Sequence, residues 1–73
     1  MRTLKIGTSG NDVKELQALL QKMGYEPGAI DGAFGSKTEG AVKQFQRDRN
    51  LTIDGAVGPN TYKVMQRYFS GYD

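Results

Sequence analysis

Apolar residues recur at helical spacing in three stretches of this chain. After Gly7-Thr8-Ser9-Gly10, residues Val13, Leu16, Leu19, Leu20 and Met23 line one side of a helix, while Lys14, Glu15, Gln17, Gln21 and Lys22 fill the others. Ser9 stands three before Asp12, a capping arrangement, so the first helix is predicted over 9–23. Gly24 suits a left-handed stop, with Tyr25 folding back onto Leu20. Glu26-Pro27-Gly28-Ala29 and the glycines that follow it predict a compact loop. The second helix is predicted over 36–49, with Ala41, Val42 and Phe45 inward and Lys37, Lys43, Arg47 and Asp48 outward. Asn50 takes the left-handed cap position there, and Leu51 packs back toward Phe45. A third helix is predicted over 59–69. Pro59 occupies its first position, and Val64, Met65, Tyr68 and Phe69 turn inward.

The chain also repeats itself. Ile53-Asp-Gly-Ala-Val-Gly-Pro-Asn-Thr61 follows Ile30-Asp-Gly-Ala-Phe-Gly-Ser-Lys-Thr38 by 23 residues, with six of nine positions identical. That degree of match at one offset reads as a loop–helix unit used twice. In each copy the Asp carboxylate is placed to accept backbone N–H bonds of its own turn. The expected fold is all-α: a compact three-helix bundle with a repeated Asp-Gly-x-x-Gly loop–helix unit. Its domain covers 4–69, with a frayed tail at 70–73.

Composition narrows the chemistry. The chain has 73 residues, and ten Lys and Arg against eight Asp and Glu leave a net charge of +2, too mild to argue for nucleic acid. Histidine and cysteine are both absent, which removes disulfides, Cys/His metal sites, cysteine nucleophiles and Ser-His-Asp triads. No cofactor or metal is expected. No stretch has the apolar length of a signal core or a membrane span, so the chain as given is expected to show no export signal of its own and no membrane partner. A domain this small buries only about 60% of its unfolded surface, so its few apolar residues must be well placed.

The motifs resemble a known family. Gly7-x-Ser9-Gly10-x-Asp12-Val13-x-x-Leu16-Gln17, then Gly24-Tyr25 and the two Asp-Gly units, are similar to the peptidoglycan-binding domain of cell-wall hydrolases. So are Ala41-Val42-x-x-Phe45-Gln46 and Thr61-Tyr62. The resemblance covers about Leu4 to Phe69. It implies a three-helix module without catalysis of its own, which tethers an amidase, carboxypeptidase, transglycosylase or lysozyme-like partner domain to the wall. It implies peptidoglycan as the partner, a monomer, and action outside the cell or in the wall, in a bacterium or after phage lysis. The alternative is a protein-interaction or pro-segment-like domain on the same fold, although such segments usually carry a cysteine switch. The sequence departs from the family pattern at Ser36, where Pro is frequent, at Gly40, where Ala is usual, and at Tyr62, where Trp is frequent.

The candidate ligand-binding residues are Tyr25, Asp31, Lys37, Asp54 and Tyr62. Asp31 and Asp54 form a tempting pair of carboxylates for sugar hydrolysis, but their matching places beside glycine favour a turn-holding role. Tyr25 and Tyr62 each combine a ring with a phenol able to pair with acetamide or peptide groups. With Lys37 they are expected to converge on a shallow groove beside the two loops. Phe34 is expected to be buried rather than to stack on a sugar, because its repeat mate is Val57. Gln17 and Gln46 are expected to satisfy loop backbone.

Overall fold

The computed structural model describes the backbone of residues 2–70 and the side chains of residues 2–67. Three helices form: α1 (Asn11–Lys22), α2 (Ser36–Asp48) and α3 (Pro59–Ser70). Each begins just after a glycine whose carbonyl accepts the first helical hydrogen bond. Lys14 N–H reaches Gly10 O at 3.2 Å, Glu39 N–H reaches Gly35 O at 3.0 Å, and Tyr62 N–H reaches Gly58 O at 2.9 Å. Helices α1 and α2 stop at the glycine and asparagine that the sequence suggests, while α3 takes in Ser70, which was expected to open the tail. Gly24 adopts φ 96°, and Tyr25 N–H bonds back to Leu20 O at 2.9 Å. Asn50 adopts φ 58°, and Leu51 N–H bonds to Gln46 O at 2.8 Å. Both ends have the geometry in which a left-handed residue ties off the last turn's carbonyls.

The start of α1 differs from expectation. Gly10, not Ser9, is the N-cap, and no side chain caps the helix. Ser9 is extended instead and forms an antiparallel bridge with Ala33. The Asp12 carboxylate accepts from the neighbouring Val13 N–H at 3.0 Å and pairs with Arg2 Nε at 2.9 Å. The Arg2 guanidinium thereby holds Asp12 below the usual carboxylate range.

The core is built from Val13, Leu16, Leu19 and Leu20 of α1, Ala41, Val42 and Phe45 of α2, and Met65 of α3. Leu4, Phe34 and Val57 close it from the connecting segments. Phe34 is buried, as is its mate Val57. Met23, Tyr25, Leu51, Tyr62 and Val64 pack at its edge. The burial expected of Tyr68 and Phe69, and most of the expected tail, lie outside the described side chains.

The N-terminal segment joins the two loops. Leu4 and Val57 exchange both backbone hydrogen bonds, at 3.1 and 2.7 Å. Four residues on, Thr8 O accepts from Phe34 N–H at 2.9 Å, and Gly7 N–H donates to Phe34 O at 3.0 Å. Gly10 N–H then donates to Gly32 O at 2.9 Å. Residues 4–10 therefore lie along the first loop at one end and the second loop at the other. The Cα radius of gyration, 10.8 Å, is about that of a fully packed chain of this length.

Candidate binding surface

Two buried glutamine side chains organise the loops. Gln17 of α1 donates through Nε2 to Ala33 O at 2.9 Å, Thr38 Oγ1 at 3.1 Å and Asp31 Oδ1 at 3.4 Å. Its Oε1 accepts from the N–H groups of Asp31 at 3.1 Å and Gly32 at 2.9 Å. Gln46 of α2 does the same in the second loop. Nε2 donates to Ala56 O at 2.9 Å, Asp54 Oδ1 at 2.9 Å and Thr61 Oγ1 at 3.1 Å, and Oε1 accepts from Gly55 N–H at 3.0 Å. A primary amide has two donors and an acceptor at one end of a flexible stem, so a single side chain can pin both edges of a turn. Among the described residues no buried side-chain polar atom lacks a partner. The sequence signal for this arrangement is a second recurrence, Val13-Lys14-x-Leu16-Gln17 and Val42-Lys43-x-Phe45-Gln46.

The two aspartates serve these clusters. Asp31 Oδ1 accepts from Ala33 N–H at 2.9 Å, and Asp54 Oδ1 from Ala56 N–H at 3.0 Å. Those N–H groups, then the Gln17 and Gln46 amides, hold both carboxyls below the ordinary range. A general acid needs the opposite shift, because it must keep its proton near neutral pH. The glycine after each Asp has a positive φ, 80° at Gly32 and 75° at Gly55. Each turn also sits tight against a helix. A Cβ on Gly32 would lie 3.0 Å from Gly10 O, and one on Gly55 would lie 2.8 Å from Glu39 Cγ.

Tyr25 and Lys37 lie apart. The Tyr25 ring meets Phe45 edge-on at 6.2 Å between centroids, and its hydroxyl donates to Asp48 Oδ2 at 2.6 Å. Burial, then the Asp48 carboxylate, pushes this phenol above its ordinary pKa. Lys37 is at the other end of α2, its stem lying over Gly28. At about 1.5 Å of rise per residue, Lys37 and Asp48 stand roughly 16 Å apart along the axis. Tyr25 and Lys37 therefore do not meet at one point. Tyr62, in the first turn of α3, is half-buried at the core edge.

Gly40 has no structural occupation. It is exposed in the middle of α2, and a Cβ there would meet nothing within 4 Å. Glycine at an interior helical position costs about 1 kcal/mol relative to alanine, and no packing within the chain offsets it.

Residues 9–65 match the model of the peptidoglycan binding domain family. This chain belongs to that family. The peptidoglycan-binding domain seen here is 43% identical over 66 residues to the spore cortex-lytic enzyme of Halalkalibacterium halodurans, covering 90% of this chain and 20% of that protein. It is 44% identical over 56 residues to the N-acetylmuramoyl-L-alanine amidase CwlM of Mycobacterium tuberculosis, covering 77% of this chain and 14% of that one. Its fold superposes on the SleB N-terminal domain with a TM-score of 0.87 at 36% identity, over 92% of each chain. The domain thus spans a quarter or less of the length of these two curated relatives, but nearly all of a solved domain.

Proposed function

We propose that this domain binds peptidoglycan without catalysing a reaction, and holds a cell-wall hydrolase at its substrate. The observation that carries the reading is the family match across 9–65. It is supported by relatives named as a spore cortex-lytic enzyme and an N-acetylmuramoyl-L-alanine amidase, in which this domain is the smaller part. The carboxylates add to it. Asp31 and Asp54 are engaged in turn hydrogen bonds that favour the charged form, so they do not suit acid catalysis of glycoside cleavage. The domain acts as a monomer at the wall. No helix among the described residues is long and apolar enough to cross a membrane.

Contacts with the polymer come from Lys37, Tyr62 and the rim of Tyr25, while Asp31 and Asp54 act through the loops that they hold. One copy binds weakly, and retention comes from the many sites on a polymer and from linkage to the catalytic partner. The test is co-sedimentation with purified sacculi, run beside duplex DNA. The domain is expected to pellet with sacculi and to leave DNA unshifted. A domain that stays in the supernatant at concentrations well above 100 μM would overturn this function.

A further inference from the structure

Gly40 is more than an unexplained glycine, because of what surrounds it. At about 100° per residue, Ser36, Lys37, Lys43, Gln44 and Arg47 all fall within about 60° of Gly40 around the α2 axis. All five are exposed, as is Gly40. The nearest acidic residues of the helix, Asp48 and Glu39, are about 80° and 100° away on the same count, at the margins of the face. The face is thus a glycine floor bordered by Ser36, Gln44 and three cations, of which Lys37 lays its stem over Gly28 and Lys43 lays its own over Gly55 beside the Glu39 side chain. Among the described residues none of these cations closes a salt bridge. The matching face of α1 is different. Its centre is the exposed Ala18, a methyl rather than bare backbone, and Glu15 at about 60° accompanies Lys14 and Lys22 at about 40°.

We propose that the solvent face of α2 centred on Gly40 is a docking surface for an extended, carboxylate-bearing peptide strand of the wall polymer. The inference rests on the peptidoglycan reading and names the part of the polymer that is read. Glycine leaves the helix backbone bare, which lets a ligand strand approach more closely than any side chain would permit. Lys37, Lys43 and Arg47 are spread over about 15 Å of helix, the length of four to five extended residues, so they match carboxylates distributed along a short peptide rather than one compact anion. Charge complementarity selects the occupant: an uncharged glycan ridge would gain nothing from three cations, whereas peptide carboxylates pair with them.

Binding and stability are predicted to move in opposite directions. Gly40→Ala and Gly40→Gln each replace glycine by a better helix former, and the melting temperature is expected to rise by about 4–8 °C. Sacculus affinity is expected to fall about fivefold for Ala and further for Gln, as the floor fills. Ala18→Gln on α1 is the control and leaves affinity unchanged. Lys37→Gln with Arg47→Gln weakens binding and flattens its dependence on salt. Sacculi whose carboxyl groups have been amidated with carbodiimide and a small amine are expected to bind wild type as weakly as native sacculi bind that double variant. Stabilised Gly40 variants with undiminished binding overturn the surface while leaving the peptidoglycan reading intact, as does full binding to amidated sacculi. Absence of wild-type binding to native sacculi overturns both. Duplex DNA retained by wild type and released by Lys37→Gln/Arg47→Gln would assign the face to a different polyanion and overturn it.

Discussion

The substitution Gln46→Glu changes one atom and its protons, and the structure says what that exchange costs. The Gln46 side chain is fully buried. Its Nε2 faces Ala56 O and Asp54 Oδ1, both at 2.9 Å, and Thr61 Oγ1 at 3.1 Å. An ionised carboxylate at position 46 would put a charged oxygen against two acceptors that have no proton to offer, one of them itself a carboxylate. The Thr61 hydroxyl can turn to donate, and Gly55 N–H keeps its acceptor. Two hydrogen bonds lost at about 1 kcal/mol each, plus burial of a charge beside a like charge, give a penalty of roughly 3–5 kcal/mol at pH 7. A domain of this size has about 4–11 kcal/mol in total, so the variant should be close to unfolding there.

When protonated, the new carboxyl recovers one donor, so burial beside Asp54 raises its folded-state pKa above the unfolded value of about 4.3. The sign follows from that direction. Below about pH 4 both states hold the proton and the charge penalty is absent; it grows as pH rises through the unfolded pKa and levels off above the folded one. Urea denaturation of wild type and variant at pH 4, 5.5 and 7 measures the difference directly. Gln46→Leu, which carries no charge, should show a penalty that barely changes over the same range. A Gln46→Glu penalty below about 1 kcal/mol at pH 7, or one equal at pH 4 and pH 7, would refute the view that Gln46 pins the second loop as a buried donor.

Three further outcomes are expected. Asp31→Ala and Asp54→Ala should each lower the melting temperature at neutral pH. Because both folded-state pKa values are depressed, that contribution is present above the unfolded pKa near 4 and is lost as pH falls through the folded values, so the variants should converge on wild type in melts at acid pH. Gly32→Ala should cost about 2–3 kcal/mol and Gly55→Ala about 1–2 in denaturant titrations, since both strain a left-handed Cβ but only Gly32 abuts backbone, at Gly10 O, rather than a flexible Glu39 side chain. In a spectrophotometric titration Tyr25→Phe should remove a phenol that ionises above the ordinary value near 10, raised by burial and then by Asp48. If the missing phenol instead titrates at the ordinary value, the Tyr25–Asp48 bond does not persist in solution.

What the sequence determined by itself is local. Helix positions follow from apolar spacing over one or two turns, and their ends from Gly24 and Asn50, the residue types that tolerate a left-handed backbone. The loop chemistry was legible for a similar reason: Asp31 and Asp54 bond N–H groups two residues on, a span that a short side chain covers wherever the turn forms. Only the tertiary structure decided the rest. Nothing in Arg2-Thr3-Leu4 announces that Leu4 will bridge Val57, because a backbone ladder carries no side-chain signature and its partner lies 53 positions away. A second bridge, Ser9 to Ala33, draws Ser9 out of the capping role that its spacing suggested, since its segment is held to the first loop before the helix begins. Tyr25 and Lys37 have similar credentials as ligand contacts in the sequence, yet α2 holds them at opposite ends, because the rigid rise of a helix turns eleven positions into about 16 Å. Gly40 needed both levels. The sequence marks it as a weak helix former, but only the packed structure leaves it open to solvent with nothing in the chain to justify it.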